Sequence, residues 1–159
     1  MRKDIKFFVS YAQRNQGLAT RFIDHFMEYA EPSIKYNYKI WRDTTGILVG
    51  ENWDEEIKRA LEECHIGLLL ISVSFLGSSY ITDVELRKLR AKPSAPLLLA
   101  PVDFELHDHK GLQEKQIFRL NNPGFQAPKS YSECSSKQRD QFVLKFFRQV
   151  EARLGRLKL

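Results

Sequence analysis

Apolar residues occur along the chain in two alternating patterns. Short, continuous apolar runs predict strands, and between them apolar residues three or four positions apart predict helices. The predicted strands cover residues 5–10, 36–41, 66–73, 96–102 and 116–120. The predicted helices cover residues 16–30, 52–64, 79–91 and 137–154. Ser135 and Gln138 have the spacing of a capping box at the start of the last helix.

The alternation of strands and helices predicts an α/β fold with a parallel sheet. The third run, IGLLLISV, is apolar throughout, as a strand covered on both faces requires. We expect a flavodoxin-like three-layer sandwich, with a five-stranded parallel sheet in the order 2-1-3-4-5 and helices on both faces. In that order, ligands bind where the chain reverses direction between strands 1 and 3. The loops at residues 10–15 and 74–80 should therefore border a ligand site.

The composition is that of an ordinary soluble globular protein, with 43% hydrophobic and 28% charged residues. The length of 159 residues predicts a single domain over residues 1–159. No apolar run is long enough to cross a bilayer, and the start of the chain lacks the pattern of a signal peptide. Cys64 and Cys134 lie far apart without metal-ligand spacing, which favours a reduced compartment. We expect a cytoplasmic protein with no membrane partner.

The net charge of +5 is concentrated near the carboxyl end of the chain. Residues 137–159 contain seven basic and two acidic side chains, so this segment carries the whole excess. A basic helix can bind nucleic acid, but it is more often a solvated face or a surface that meets another domain. We therefore do not expect nucleic acid as a partner.

The helix predicted at residues 79–91 carries one carboxylate in an unusual place. At about 100° per residue, Glu85 falls almost opposite the polar face, between Ile81 and Leu89. Burial of a carboxylate without a partner is costly. Two explanations are open: an ion pair with Lys88 or another cation, or a carboxylate directed at a ligand in the neighbouring crevice.

No motif in the sequence predicts a metal site. His107 and His109 flank an aspartate, but a metal ion would need further ligands within reach, and the stretch reads as a polar loop. Neither a phosphate-binding loop nor a dinucleotide-binding glycine motif occurs. The two cysteines have no paired histidine that would indicate a nucleophile.

Three motifs follow one another in a characteristic order. FFVSYAQRN, at residues 7–15, is an apolar strand that ends in Ser-Tyr. Residues 38–64 contain a strand, a long loop with an Asp, an apolar residue and a Gly, and then a helix that begins with Trp. IGLLLISVSFLGSSYITDVEL, at residues 66–86, joins an apolar strand, a Phe-Leu-x-Ser turn, an aromatic residue and a helical glutamate. Together they resemble a TIR (Toll/interleukin-1 receptor) domain of the bacterial type, over nearly the whole chain.

The resemblance implies one of two functions. Some TIR domains cleave NAD+ between nicotinamide and ribose, giving nicotinamide and ADP-ribose or a cyclic form, and their essential glutamate corresponds to Glu85. Others are non-enzymatic adaptors that act through TIR–TIR assembly, using the loop at residues 43–52 and helix surfaces. Glu85 favours the enzyme, an NAD+ glycohydrolase or ADP-ribosyl cyclase with NAD+ as substrate and neither metal nor cofactor. The resemblance also implies a self-associating effector of bacterial antiphage defence, whose partners are other TIR domains and a sensor domain or partner protein.

The resemblance further suggests residues of the first motif that contact NAD+. Phe8 and Ser10, at the end of the first strand, would line the nucleotide site, and Arg14 would contact the pyrophosphate. The ordinary alternatives are core packing for Phe8 and a solvated surface position for Arg14. Where the first motif often has Asp, this chain has Asn15, which is still able to cap the following helix.

Residues of the other two motifs are implicated in the same way. Asp43 and Thr44 would contact the ribose or the nicotinamide, although both residue types also favour turns. Tyr80 would stack on a ring of the substrate, although an aromatic residue at a helix start often serves packing.

Overall fold

A computed structural model of the chain describes residues 1–42 and 53–157. Within these residues, four strands form one parallel sheet in the order β2-β1-β3-β4. The strands are β1 (Lys3–Ser10), β2 (Tyr36–Arg42), β3 (Ile66–Ile71) and β4 (Ser94–Leu98). The predicted α/β class, the parallel sheet and the order of its first four strands are confirmed.

The predicted fifth strand, at residues 116–120, is wrong. Within this segment only Phe118 pairs with the edge strand β4, where its carbonyl accepts a hydrogen bond from the backbone N–H of Leu98 at 2.9 Å. A 3₁₀ turn, Glu114–Gln116, occupies the start of the segment, and Leu120 pairs instead with an antiparallel stretch that follows it. The remaining run is too short for a ladder, so the sheet has four strands in the described part of the chain.

Helices cover both faces of the sheet, as predicted. They are α1 (Gln16–Ala30), α2 (Trp53–Glu63), α3 (Val73–Leu76), α4 (Leu86–Leu89) and α5 (Ser136–Leu157). Helices α1 and α5 share one core with the strands, and α2, α3 and α4 share a second core on the opposite face. Across the described ranges, no helix combines the length and the apolar character that crossing a membrane requires.

Strand β3 ends before the apolar run does. The side chain of Ser72 accepts a hydrogen bond from the backbone N–H of Phe75 at 3.0 Å and thereby caps α3. The chain therefore enters a helix at Val73, whose side chain is exposed. Val73 is apolar, but it does not extend β3, because the Ser72 cap gives a hydrogen-bond partner to a backbone N–H in the first turn of α3.

Helix α5 begins with the predicted capping box. The backbone N–H of Ser135 donates to Gln138 Oε1 at 2.9 Å, and the N–H of Gln138 donates to Ser135 Oγ at 3.3 Å. The apolar stripe of α5 is buried against the sheet and α1. Lys137, Lys145 and Arg148 are exposed, so much of the positive charge lies on the solvent side of the helix.

Helix α4 is seated on β3 by a close contact at Gly67. A Cβ atom added to Gly67 would lie 2.9 Å from Leu89 Cδ2, closer than Cβ contacts in proteins allow. Leu89 is 2% exposed, so its side chain has little room to withdraw. The absence of a side chain at Gly67 therefore sets how closely α4, and the turn before it, approaches the sheet.

We expect Gly67→Val to lower the free energy of unfolding by about 1–3 kcal/mol, because the added atoms overpack the contact between β3 and α4. Urea unfolding measures the change. Gly17→Val is the matched control, since nothing lies within 4 Å of a Cβ atom at that position, and this variant should be neutral or slightly more stable. Wild-type stability of Gly67→Val would contradict the close contact.

Candidate active site

A cavity of about 720 Å³ opens at the carboxyl ends of β1 and β3. It lies where the strand order predicts a ligand site, and its volume is typical of small-molecule pockets. One wall is the loop after β1, and the other wall runs from α3 to the turn that carries Glu85. Polar residues of the described lining are Tyr11, Gln13, Arg14, Ser74, Ser78, Tyr80 and Glu85.

The first wall is tied to the rest of the site through Asn15. After β1 the chain forms a 3₁₀ turn, Gln13–Asn15, and α1 follows directly. The expectation that Asn15 caps α1 is wrong, because its side chain makes no cap hydrogen bond. Its Oδ1 atom instead accepts a hydrogen bond from Ser72 Oγ at 2.6 Å. This contact joins the loop after β1 to the loop after β3.

Two serine caps shape the second wall. Ser72 is 2% exposed and caps α3. Ser78 caps the next helix, since its Oγ accepts a hydrogen bond from the N–H of Ile81 at 3.2 Å and its carbonyl accepts one from Thr82 at 3.0 Å. The segment between the two caps is therefore held at both ends, with Ser74 on the cavity.

The helix that bears Glu85 contains a π turn, Ile81–Glu85, immediately before α4. The N–H of Leu86 bonds to the carbonyl of Ile81, five residues back. In a regular α-helix, Tyr80 and Glu85 would point about 140° apart, at roughly 100° per residue. The wider turn brings residues five apart closer to one face, and both of these side chains line the cavity. Single π turns are frequent at functional sites.

Glu85 is buried on the apolar side of its helix, as the sequence predicts. Its exposure is 3%, and its neighbours Ile81 and Leu86 are 3% and 2% exposed. Lys88, one partner suggested by the sequence, has its Nζ atom 3.9 Å from Glu62 Oε1 on α2. Both side chains of that pair are at least half exposed, so Lys88 takes part in a surface contact between α2 and α4.

Two other predicted contact residues line the same cavity as Glu85. Arg14 is exposed on the first wall, and Tyr80 is half-buried on the second wall. The fold thus brings a carboxylate, a guanidinium group and a phenol ring to one cavity from two separate segments of the chain. Such a set suits a ligand that combines a sugar, an anionic group and a flat ring.

Phe8 and Ser10 are placed differently, and neither belongs to the described lining of the cavity. Phe8 is fully buried and stacks on Trp41, with ring centroids 5.0 Å apart. Ser10 is 1% exposed on the same face of β1, and its Oγ has no hydrogen-bond partner among the described residues. Asp43 and Thr44 lie outside the residues that the structure describes.

The sequence pattern missed the residues that hold the two walls together. It assigned Ser72 to a strand and gave Asn15 only a capping role. A hydrogen bond between residues 57 positions apart leaves no periodic signal in a sequence. Topology was the one available indication, because both residues follow the carboxyl ends of neighbouring strands.

Other reactive groups serve structural roles. Cys64 and Cys134 are free and buried, and burial raises the pKa of both thiols, which disfavours the nucleophilic thiolate. His107 Nδ1 accepts a hydrogen bond from the N–H of Asp103, and His109 Nε2 lies 2.6 Å from a backbone carbonyl of the same loop. Over residues 1–42 and 53–157, no three His, Cys, Asp or Glu side chains are grouped as metal ligands would be.

Comparison with known proteins identifies the family of the chain. No curated protein sequence matches the chain significantly. The family model for the TIR domain matches residues 7–133. The match covers most of the chain and includes both walls of the cavity. The chain therefore belongs to the TIR domain family.

Proposed function

We propose that this TIR domain is an NAD+ glycohydrolase or ADP-ribosyl cyclase, which breaks the bond between nicotinamide and ribose. The observation that carries the proposal is Glu85, a carboxylate that is 3% exposed and yet borders a ligand-sized cavity. Ionisable groups buried in clefts are candidates for catalysis, because such positions are costly for stability alone.

A single carboxylate is sufficient for this chemistry. When the bond between ribose C1′ and the nicotinamide ring nitrogen breaks, its electron pair moves to the nitrogen, and nicotinamide leaves as a neutral molecule. No acid has to protonate it. Positive charge develops on the ribose, and a nearby carboxylate stabilises this oxocarbenium-like species. Water then adds to C1′ and releases a proton to solvent, or a group of the adenine takes the place of water in a cyclic product.

Burial strengthens the proposed role of Glu85. A charge acts on its neighbour more strongly where water is excluded, because the effective dielectric constant is lower. The low exposure of Ile81 and Leu86 on either side of the turn indicates such an environment. The carboxylate would act there as a fixed charge beside C1′, without forming a covalent bond.

Other residues of the site match the remaining parts of NAD+. Arg14 supplies a cation for the pyrophosphate, since a guanidinium group binds phosphate oxygens in pairs. Tyr80 offers a ring for stacking on the same face of the helix as Glu85. Ser10 is outside the described lining but adjoins Tyr11 in the first wall, and its hydroxyl has no hydrogen-bond partner among the described residues, so it is a further candidate for a substrate hydrogen bond.

The TIR family also contains adaptors that act only through assembly. Assembly as an adaptor does not require Glu85, whereas the proposed cleavage does, so a carboxylate at this position favours the enzyme over the adaptor. We further propose that the domain is a cytoplasmic, self-associating effector of bacterial antiphage defence, which works with other TIR domains and with a sensor domain or partner protein. The support for that setting is the family resemblance.

Glu85→Gln should lower nicotinamide release roughly a hundredfold or more, because the amide keeps the size of the side chain and removes the charge that stabilises the ribose. Chromatography of the products after incubation with NAD+ measures release, both for dilute protein and under crowded conditions that promote self-association. The thermal midpoint should stay close to that of wild type, because the amide keeps the shape of the side chain and can still accept a hydrogen bond.

Asp83→Asn is the matched control for this experiment. Asp83 belongs to the same π turn, but it is exposed and is not part of the described lining. The same loss of charge should leave its activity unchanged. A wild-type protein that is folded and self-associated but releases no nicotinamide would refute the enzyme and favour the adaptor.

Arg14→Met should raise the KM for NAD+ roughly tenfold or more with kcat nearly unchanged, because a charged hydrogen bond of about 1.5–3 kcal/mol to the pyrophosphate is lost. Arg21→Met, an exposed position on α1, is the control. Nicotinamide riboside has no phosphate for Arg14 to bind, so Arg14→Met and wild type should cleave it at equal rates. An unchanged KM for NAD+ would exclude the pyrophosphate contact.

Lys88→Met should change the free energy of unfolding by less than about 1 kcal/mol, because exposed ion pairs contribute little. Removal of the partner of a buried carboxylate would instead cost about 3–5 kcal/mol. Urea unfolding of Lys88→Met and Glu62→Gln compares the two ends of the same pair, and the two variants should behave alike. A large loss confined to Lys88→Met would mean that Lys88 neutralises Glu85.

A further inference from the structure

We propose that Asn15 is a positioning residue, which holds the two walls of the cavity at a fixed separation through its hydrogen bond to Ser72. The contact itself is independent of the reaction, whereas its effect on substrate binding rests on the proposed NAD+ cleavage. Neither residue is part of the described lining, so both would act through the residues next to them in the chain.

The contact between Asn15 and Ser72 is short, and its Ser72 end is buried. Ser72 Oγ lies 2.6 Å from Asn15 Oδ1, and Ser72 is 2% exposed. The same Oγ accepts a hydrogen bond from the N–H of Phe75 at 3.0 Å. A hydroxyl has one proton to donate, and the amide oxygen of Asn15 receives it. A hydrogen bond that is partly withdrawn from water is electrostatically stronger than one that is fully exposed.

This contact lies at the base of both walls. Residues 11–14, which all line the cavity, end directly at Asn15. Val73 and Ser74, which line the opposite side, begin directly after Ser72. A change in the separation of these two residues therefore moves both walls. The side chain of Asn15 is available for this role because it makes no cap hydrogen bond to α1.

The contact between Asn15 and Ser72 is linked to the helix of Glu85 by the two serine caps. Ser72 sets the start of α3, and Ser78, six positions later, caps the helix that enters the π turn. In each of the two caps, the serine Oγ accepts a hydrogen bond from a backbone N–H three residues later. The loop after β1 and the turn with Glu85 are thus connected by successive short contacts, although they are far apart in sequence.

Loss of the contact should weaken substrate binding. Without it, the substrate must order the two walls when it binds, and that ordering reduces affinity. We expect Asn15→Leu to raise the KM for NAD+ roughly tenfold, the size of a typical hydrogen-bond effect, and to leave kcat close to wild type. A purely structural role would not raise KM, because a smaller folded fraction lowers only the apparent kcat.

A double-mutant cycle separates the effect of the hydrogen bond between Asn15 and Ser72 from the effect of the Ser72 cap on α3. Ser72→Ala removes both the contact with Asn15 and the cap of α3, so its own effect is mixed. In the Ser72→Ala background, however, Asn15→Leu should cause no further rise in KM. Asn15→Asp should behave like wild type, since a carboxylate oxygen accepts the same hydrogen bond from the serine. Independent, multiplying effects or a failed rescue by Asp would overturn the proposal.

Asn122→Leu is the matched control. Asn122 hydrogen-bonds to Gln141 at 2.6 Å and to Lys145 at 2.9 Å, and it is outside the described lining of the cavity. Its substitution removes asparagine contacts of similar length and should leave the KM for NAD+ unchanged.

Amide hydrogen exchange tests the contact without any reaction. In Asn15→Leu, the N–H of Phe75 and its neighbours in residues 73–78 should exchange roughly tenfold faster than in wild type, with no such change in Asn122→Leu. If wild type releases no nicotinamide, the proposed function fails, and exchange still decides whether Asn15 holds the walls. Wild-type exchange rates in Asn15→Leu would overturn the contact, and faster exchange with an unchanged KM would overturn its role in binding.

Discussion

Burial of the Glu85 carboxylate is the constraint on which the arrangement of the site depends. A carboxylate that leaves water loses hydration, so a helix keeps it on an apolar side only where polar groups or a cavity adjoin it. The π turn provides such a place, because it brings Tyr80 and Glu85 to the cavity while Ile81 and Leu86 pack in the core. A position that is costly for stability is useful for chemistry, since charge acts furthest where water is excluded.

The position of the cavity follows from the direction in which the chain leaves neighbouring strands. From β1 the chain continues to α1 on one face of the sheet, and from β3 it continues to α3 on the other face. The two connections diverge, so a crevice opens between them at the carboxyl ends. The contact of Gly67 with Leu89 then fixes how closely the second wall lies on the sheet. The position of the Glu85 carboxylate therefore depends on how α4 packs against β3.

Periodicity predicted the elements whose signal is local. The first four strands and the helices could be read from runs and spacings, and the capping box of α5 from two residues three positions apart. The order of the strands came from the usual topology of chains in which strands and helices alternate. The absence of the fifth strand could not be predicted in this way, because it depends on which backbone groups of residues 116–120 pair with β4 and which pair elsewhere. A 3₁₀ turn before Phe118 and a separate bridge after it shorten the segment to one paired residue. Phe8 shows the same limit, since the motif left core packing and a place at the nucleotide site both open, and its stacking on Trp41 appears only in the structure.

The sequence by itself determined the fold class, the family resemblance and the presence of Glu85 on an apolar helix face, since each depends on residue order and helical spacing alone. Only the tertiary structure decided that the helix widens into a π turn, that Arg14 and Tyr80 share a cavity with Glu85, and that Asn15 bonds to Ser72. The last two features join residues distant in sequence, and their geometry depends on how helices on opposite faces pack against one sheet. Side chains that meet only after such packing leave no periodic trace in the chain.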